Sequence, residues 1–238
     1  MKQKALKIIS GATAFLLGIA FVAKFGGPAL LKLYVETGIG ICQKIPILCM
    51  APDKKIITPG QIDKEYLNEL IPYNFPKMSL SVPRGFKVIQ EEIKRDYYKR
   101  KGRPYSDAAI YVIYEQPRFF IELYPQLKKR GISDNYQFIK HTMYAGIKGI
   151  SNFTDLFFII MKGIFTPDLG DQKNVLMTQF RMSGKRGFIN YNLSGQEGHA
   201  PVNYFDCNLI DDQDGFFKIY IKDAGARLDL NRVLAIIS

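Results

Sequence analysis

VLMTQFRMSGKRGFINYNLSGQEGHAPVNYFDCNLIDDQDGFFKIYIK, residues 175–222, is the stretch that decides the fold. Within it VLMTQFRMS, GFINYNLS, YFDCNLI and FFKIYIK alternate or nearly alternate between apolar and polar residues, the period of a strand with one buried face. GKR, GQEGHAP and DDQDG separate them, and each is a cluster of turn formers. The four runs therefore predict an antiparallel meander. LDLNRVLAIIS follows and closes the chain as an amphipathic helix, suited to cover one face of that sheet.

Working outward toward the N-terminus, TDLFFIIMKGIF reads as a helix capped by Thr154. Its twelve residues include Asp155 and Lys162, so it is too short and too charged for a membrane span and suits a core or interfacial helix. SDNYQFIKHTMYAGIKGI predicts a further helix, capped by Ser133 or Asp134, with Tyr136, Ile139, Met143, Tyr144 and Ile147 at helical spacing. DAAIYVIYEQ and PRFFIELYPQ read as two strands on either side of Gln116-Pro117. KMSLSVPRGFKVIQ predicts a strand with a Pro-Arg-Gly turn inside it, and QIDKEYLNELI a short helix with Ile62, Tyr66, Leu67 and Leu70 on one face.

The expected class is α+β: an N-terminal transmembrane helix, then one antiparallel-sheet domain with helices packed on it. Residues 1–37 form the anchor with an interfacial extension and residues 38–72 a Pro- and Gly-punctuated connector with the short helix. Residues 73–238 form the globular domain. A chain of 238 residues with 47% hydrophobic and 13% aromatic content can bury one substantial core once the anchor is set aside. Its net charge of +11 suits an anionic partner such as anionic lipid, an acidic protein or nucleic acid.

The anchor begins at Ile8 and ends at Ala23, a run of sixteen uncharged residues between Lys7 and Lys24. As a helix it covers roughly 24 Å, slightly short of the ~30 Å hydrocarbon core, and the flanking lysines can snorkel outward. A cleaved secretory signal is the competing reading, because a basic start, an apolar run and the small residues Gly18 and Ala20 are all present. The apolar character continues through Phe21, Val22 and Ala23, and GGPALLKLYV adds a second stretch, which favours an uncleaved single-pass anchor. Lys2, Lys4 and Lys7 precede the segment, so the lysine bias puts the N-terminus in the cytoplasm and the domain outside. Cys42 and Cys49 lie seven positions apart just beyond it, where a bridged loop can form in an oxidising compartment. Cys207, inside a strand run, reads as a buried thiol.

The most distinctive polar stretch is IKRDYYKRKGRPY, in which Lys94, Arg95, Lys99, Arg100, Lys101 and Arg103 interleave with Tyr97, Tyr98 and Tyr105. Cations neutralise phosphate and tyrosines stack or sit at a headgroup boundary, so this stretch is the candidate anionic-surface contact. A merely solvated charged loop is the plainer reading. Lys128, Lys129 and Arg130 would enlarge the patch.

Other chemistries are poorly supported. His141 and His199 stand outside any HExxH or paired-Cys pattern, so neither a metal nor a cofactor is expected. In DDQDG, placing Gly215 at the invariant glycine of a calcium loop leaves Ile210 and Ile221 where ligands belong, so a hairpin turn is the better reading. Ser183 and Ser194 are not in GxSxG elbows, and Glu197 merely stands near His199. The sequons at Asn152 and Asn192 are close to chance occurrences.

One resemblance rests on the order of these parts. The LSVPRGFKV strand and turn, a central helix, several antiparallel strands and a closing helix ending in LAIIS resemble the PsbP/Mog1-like α/β sandwich domains over roughly residues 73–238. The resemblance implies binding or assembly roles, mostly non-catalytic and often outside the cytoplasm, with no site residues to carry over. The expected function is thus a membrane-anchored, non-catalytic binding or assembly-assisting domain. The alternatives are an extracytoplasmic hydrolase around Glu197 and His199, or a cytoplasm-facing nucleic-acid binder, the latter disfavoured by the expected topology. Substrate, partner identity and oligomeric state leave no signature in the chain.

Overall fold

β8 (Ala200–Asp211) is the strand around which the domain is built. Every residue from Val202 to Ile210 is buried, so both of its faces are covered. The computed structural model describes residues 45–75, 77–90, 108–166, 174–197 and 200–238, together with Gly26, Gly27, Leu30, Leu33 and Cys42. The anchor expected at 8–23 lies outside the described residues, and among those that are described no helix is long and apolar enough to cross a membrane.

Flanking β8 are β6 (Leu176–Met182), β7 (Lys185–Glu197) and β9 (Phe216–Ala224), the meander expected from the sequence, joined at Gly184 and at the Asp211 to Gly215 turn. Gly187 is required where β7 meets β8, since a Cβ there would lie 2.0 Å from the Asn208 carbonyl oxygen. β5 (Ala109–Glu115) pairs antiparallel with β9. The domain is α+β with helices packed on its sheet, as expected, but the sheet is not antiparallel throughout, and this corrects the expected antiparallel sheet. β1 (Ile56–Ile57) runs parallel to β6, and β4 (Lys87–Gln90) runs parallel to β5, giving a mixed seven-stranded sheet in the order β1-β6-β7-β8-β9-β5-β4. A parallel pair needs a crossover of a dozen or more residues, and residues 91–108 supply that length between β4 and β5.

One face of the sheet is covered by the hairpin β2 (Leu70–Asn74) and β3 (Ser79–Pro83), by α1 (Lys64–Glu69) and by the closing helix α5 (Leu230–Ile237). Val233 to Ile237 are all buried there against Phe205, Cys207, Ile219 and Ile221. Asp229 caps the start of α5 at Arg232 N, 2.9 Å, and Lys185 Nζ donates to the Ile237 carbonyl at its end, 2.8 Å. The opposite face carries α2 (Phe119–Leu123), α3 (Asn135–Tyr144) and α4 (Phe153–Phe165), with a short 3-10 turn, Pro46–Leu48, whose Ile47 enters the same core. The connector is therefore partly built into the fold, through Ile47, β1, and Tyr66 of α1.

Two local expectations change. PRFFIELYPQ contains a helix, α2, and not a strand: Phe120 stacks on Phe138 at 4.4 Å and meets Phe165 and Phe216 edge-on, and Asn135 Oδ1 accepts from Phe120 N. The cap of α4 is Asn152, two residues earlier than the Thr154 expected, in a capping box with Asp155. DDQDG forms a turn, and its acidic side chains are used by the backbone. Asp211 Oδ1 accepts from Gly215 N at 2.7 Å, while Asp214 accepts from Arg118 N at 2.9 Å and Asn135 N at 2.9 Å, tying the turn to the starts of α2 and α3.

Candidate functional site

Polar residues cross the centre of the helix-covered sheet face in register. Asn190, Asp206, Tyr220 and Tyr111 are successive partners on β7, β8, β9 and β5, and the next row holds Phe188, Asn208, Lys218 and Ile113. Alternation along β8 sends Tyr204, Asp206 and Asn208 to this side and Phe205, Cys207 and Leu209 to the other. Asp206 and Lys218 form an ion pair at 2.8 Å with side chains 0% and 4% exposed. Asn190 Nδ2 and Asn208 Nδ2 donate to Asp206 Oδ2 at 3.2 and 3.4 Å. Lys218 Nζ also donates to the Phe165 carbonyl at the end of α4, 2.6 Å.

Burial pushes the Asp206 carboxyl above its ordinary range, opposed by the Lys218 ammonium and the two amides. Both side chains are removed from solvent. What the pair can do is fix how α4 sits on the sheet, because the Lys218 bond to Phe165 is made in one register only.

The sheet's other face has a smaller polar inset. Asp223 Oδ2 accepts from Leu228 N at 2.6 Å and Asn203 Nδ2 donates to the Leu228 carbonyl at 2.9 Å, holding the chain where it turns from β9 into α5. Gly225 and Ala226 make that turn with φ of 100° and 51°. Burial raises the Asp223 carboxyl despite the Leu228 bond.

Beyond this turn opens a solvent-facing cleft of about 380 Å³. Arg227 stands over the Phe86 ring at 5.5 Å, and Arg232 over the Tyr66 ring at 5.0 Å. Arg232 Nη1 donates to the Arg227 carbonyl at 2.6 Å, and its Nη2 lies 3.7 Å from Asp63. Glu65 and Glu69 add negative charge to the same walls. Burial raises the Tyr66 phenol, with Arg232 opposing, so Tyr66 stays a neutral hydrogen-bond donor, and its Oη reaches the Arg232 carbonyl at 3.4 Å. Guanidinium planes backed by rings, beside carboxylates, recognise polar and charged groups by contact.

Of the residues expected from sequence to form the anionic-surface contact, Lys94, Arg95, Tyr97, Tyr98, Lys99, Arg100, Lys101 and Arg103 all lie outside the described residues, in the β4–β5 crossover. Lys128, Lys129 and Arg130 are exposed on a 3-10 turn, Pro125–Arg130. Cys42 and Cys49 are disulfide-bonded with Cα atoms 5.6 Å apart, next to the Pro46–Leu48 turn. Cys207 is fully buried, and burial drives its thiol above the usual range. His199 and the Glu197 side chain lie outside the described residues. His141 is exposed with its ring over Phe158 at 5.6 Å. Among the described residues no cluster of His, Cys, Asp or Glu could hold a metal ion. Asn192 of the second sequon is fully buried, and Asn152 of the first is spent on the α4 cap.

The sequence reading passed over Asp206, Lys218, Arg227 and Arg232. A signal for the first pair was present: YFDCNLI and FFKIYIK each carry a charge inside an otherwise buried run, and such charges are rarely buried without partners. The arginine cleft has no comparable signal, since Phe86 and Tyr66 meet Arg227 and Arg232 from positions more than a hundred residues away.

No protein-family model, curated protein or solved structure matches the chain.

Proposed function

We propose that the chain is a single-pass membrane-anchored binding or assembly-assisting domain, held extracytoplasmically with its N-terminus in the cytoplasm. The observation that carries the binding role is the division of its charged groups. The central ion pair is sealed into the fold at 0% and 4% exposure, whereas Arg227 and Arg232 stand over aromatic rings in an open cleft whose walls also carry Asp63, Glu65 and Glu69. Groups of the second kind hold a partner without needing to transform it. The resemblance to PsbP/Mog1-like domains implies the same class of role.

The Lys/Arg/Tyr stretch in the β4–β5 crossover is the proposed anionic contact, for a lipid headgroup surface or an acidic protein. Its test is the full chain carrying Lys99→Glu, Arg100→Glu and Lys101→Glu, measured in mild detergent against immobilised nanodiscs of anionic lipid. A loss of at least about tenfold in affinity is expected from reversing three charges near the surface. Unchanged affinity, together with unchanged binding to an acidic protein surface, would remove the stretch from the account. Arg227→Glu with Arg232→Glu tests the cleft separately, and failure of both variants to alter any binding would overturn the role itself.

A further inference from the structure

α4 has the wrong residues facing outward for a helix on a wetted surface. Phe153, Ile160 and Ile164 are 53%, 55% and 42% exposed. At 100° per residue they share one stripe with the half-buried Phe157, and Leu156 and Gly163 flank it, so that face has no polar side chain along its thirteen-residue length. The single lysine of the helix points the other way: Lys162 is fully buried and donates to the carbonyls of Met50, 2.5 Å, and Ala145, 2.7 Å. An ordinary surface helix places its lysine outside and its phenylalanines inside. Here the outer face is apolar as well as the inner one.

Two neighbours of the stripe, Gly27 and Tyr124, point to what covers it. Gly27, a few residues after the apolar anchor, lies beside the stripe's first member, its Cβ position 3.9 Å from Phe153 Cζ. The chain coming from the bilayer therefore meets the domain at the start of α4. Leu30 and Leu33, a few residues after Gly27, are exposed apolar side chains at 62% and 57%. At the other side Phe157 touches Tyr124, 5.0 Å between rings, and Tyr124 leads directly into the 3-10 turn bearing exposed Lys128, Lys129 and Arg130. An apolar stripe with cations at its border and a membrane segment entering beside it is the pattern of an interfacial helix.

From this juxtaposition we propose that the outer face of α4, Phe153, Phe157, Ile160 and Ile164, lies in the headgroup and acyl boundary of the bilayer that the anchor enters. The domain is thus seated on the membrane on its α4 side and does not hang free on a connector. This orientation turns the cleft at Arg227 and Arg232, on the other face of the sheet, away from the lipid and toward a partner in solution. The inference rests on the membrane-anchored reading above.

The test uses the full chain in vesicles of mixed anionic and zwitterionic lipid, with an environment-sensitive probe at Ile160→Cys or Asp212→Cys. Native Cys42 and Cys49 are bonded to each other and Cys207 is buried, so the introduced thiol is the one that reacts. Spin-labelled lipids should quench the Ile160 probe at least about threefold more than the Asp212 probe, and iodide should show the reverse order. Ile164→Cys should repeat the Ile160 result, which guards against a local defect at one site. Equal iodide access at Ile160 and Asp212 would overturn the inference, as would shielding of Ile160 from both quenchers, the sign of a second copy or a protein partner. If the chain does not float with the vesicles, the anchored reading fails along with it; if it floats with Ile160 in water, only the seating of α4 fails.

Discussion

Asp206 and Lys218 stabilise the centre of the sheet only as a pair. Each is desolvated, and removing either leaves the other charged and enclosed, at a cost of roughly 3–5 kcal/mol. Asp206→Ala should therefore lower the free energy of unfolding by about that amount, whereas Asp206→Leu combined with Lys218→Met should lose clearly less, as measured by urea unfolding. Equal loss in the two proteins would mean that the ion pair does not set the cost. Lys162 makes a different argument, because its two acceptors are uncharged carbonyls. Burial lowers its ammonium from 10.5 to about 8. Between those values the unfolded chain holds the proton and the folded chain has released it, so stability rises with pH across that window; below about 8 both states are charged and the desolvation cost is felt in full. The stability of the native chain relative to Lys162→Met should be flat from about pH 6 to 7.5 and should then grow by on the order of 1–3 kcal/mol toward pH 10. A constant difference across the range would show that Lys162 reaches solvent.

The helices differ in how much of them local sequence specifies. α4 begins with a capping box, in which Asn152 Oδ1 accepts from Thr154 N at 2.9 Å and Asp155 N at 3.2 Å while Asp155 Oδ2 accepts from Asn152 N at 3.1 Å. Asn152→Ala should cost about 1 kcal/mol and Asn152→Ser a few tenths, read by denaturant unfolding. Because such signals are local, α4, α5 and the start of α3 were legible from their caps and periodicity to within a residue or two, whereas α3 ends at Tyr144, with Ala145 extended and Ile147 in a separate 3-10 turn, Ile147–Gly149, beyond the helix expected to include it. α2 was not legible, and the reason is physical. FFIEL is five residues between Pro117 and Pro125, too short for periodicity to separate helix from strand. Its helical state is imposed by distant groups: Asn135 and Asp214 hold the backbone amides of Phe120 and Arg118, and the Phe138 ring supplies the stack. The parallel edges of the sheet escaped for a related reason. β1 has only two residues, and β4 ends where the basic stretch begins, so the sequence shows neither which edge they join nor in which direction.

At the scale of the whole molecule, the segment that precedes the sheet carries more structure than its proline and glycine content suggests. Ile47 sits in the core beneath α4, inside the loop that the Cys42–Cys49 bond closes, and just beyond that loop the Asp53 amide donates to the Met177 carbonyl at 3.0 Å. If the chain is anchored as proposed, that bond also reports the side of the membrane. A bridge at these positions persists in an oxidising compartment and is reduced in the cytoplasm, while Cys207 is shielded on either side by complete burial. With the domain outside, a membrane-impermeant maleimide added to intact cells should label the chain only after mild reduction, and then at Cys42 and Cys49 alone. Cys207 should react only once the domain is denatured. Labelling that needs permeabilised cells but no reductant would place the domain in the cytoplasm, reverse the orientation inferred from Lys2, Lys4 and Lys7, and return the nucleic-acid reading to consideration. The proposed seating of α4 would survive that reversal, since it needs only the bilayer that the proposed anchor enters and not a particular side of it.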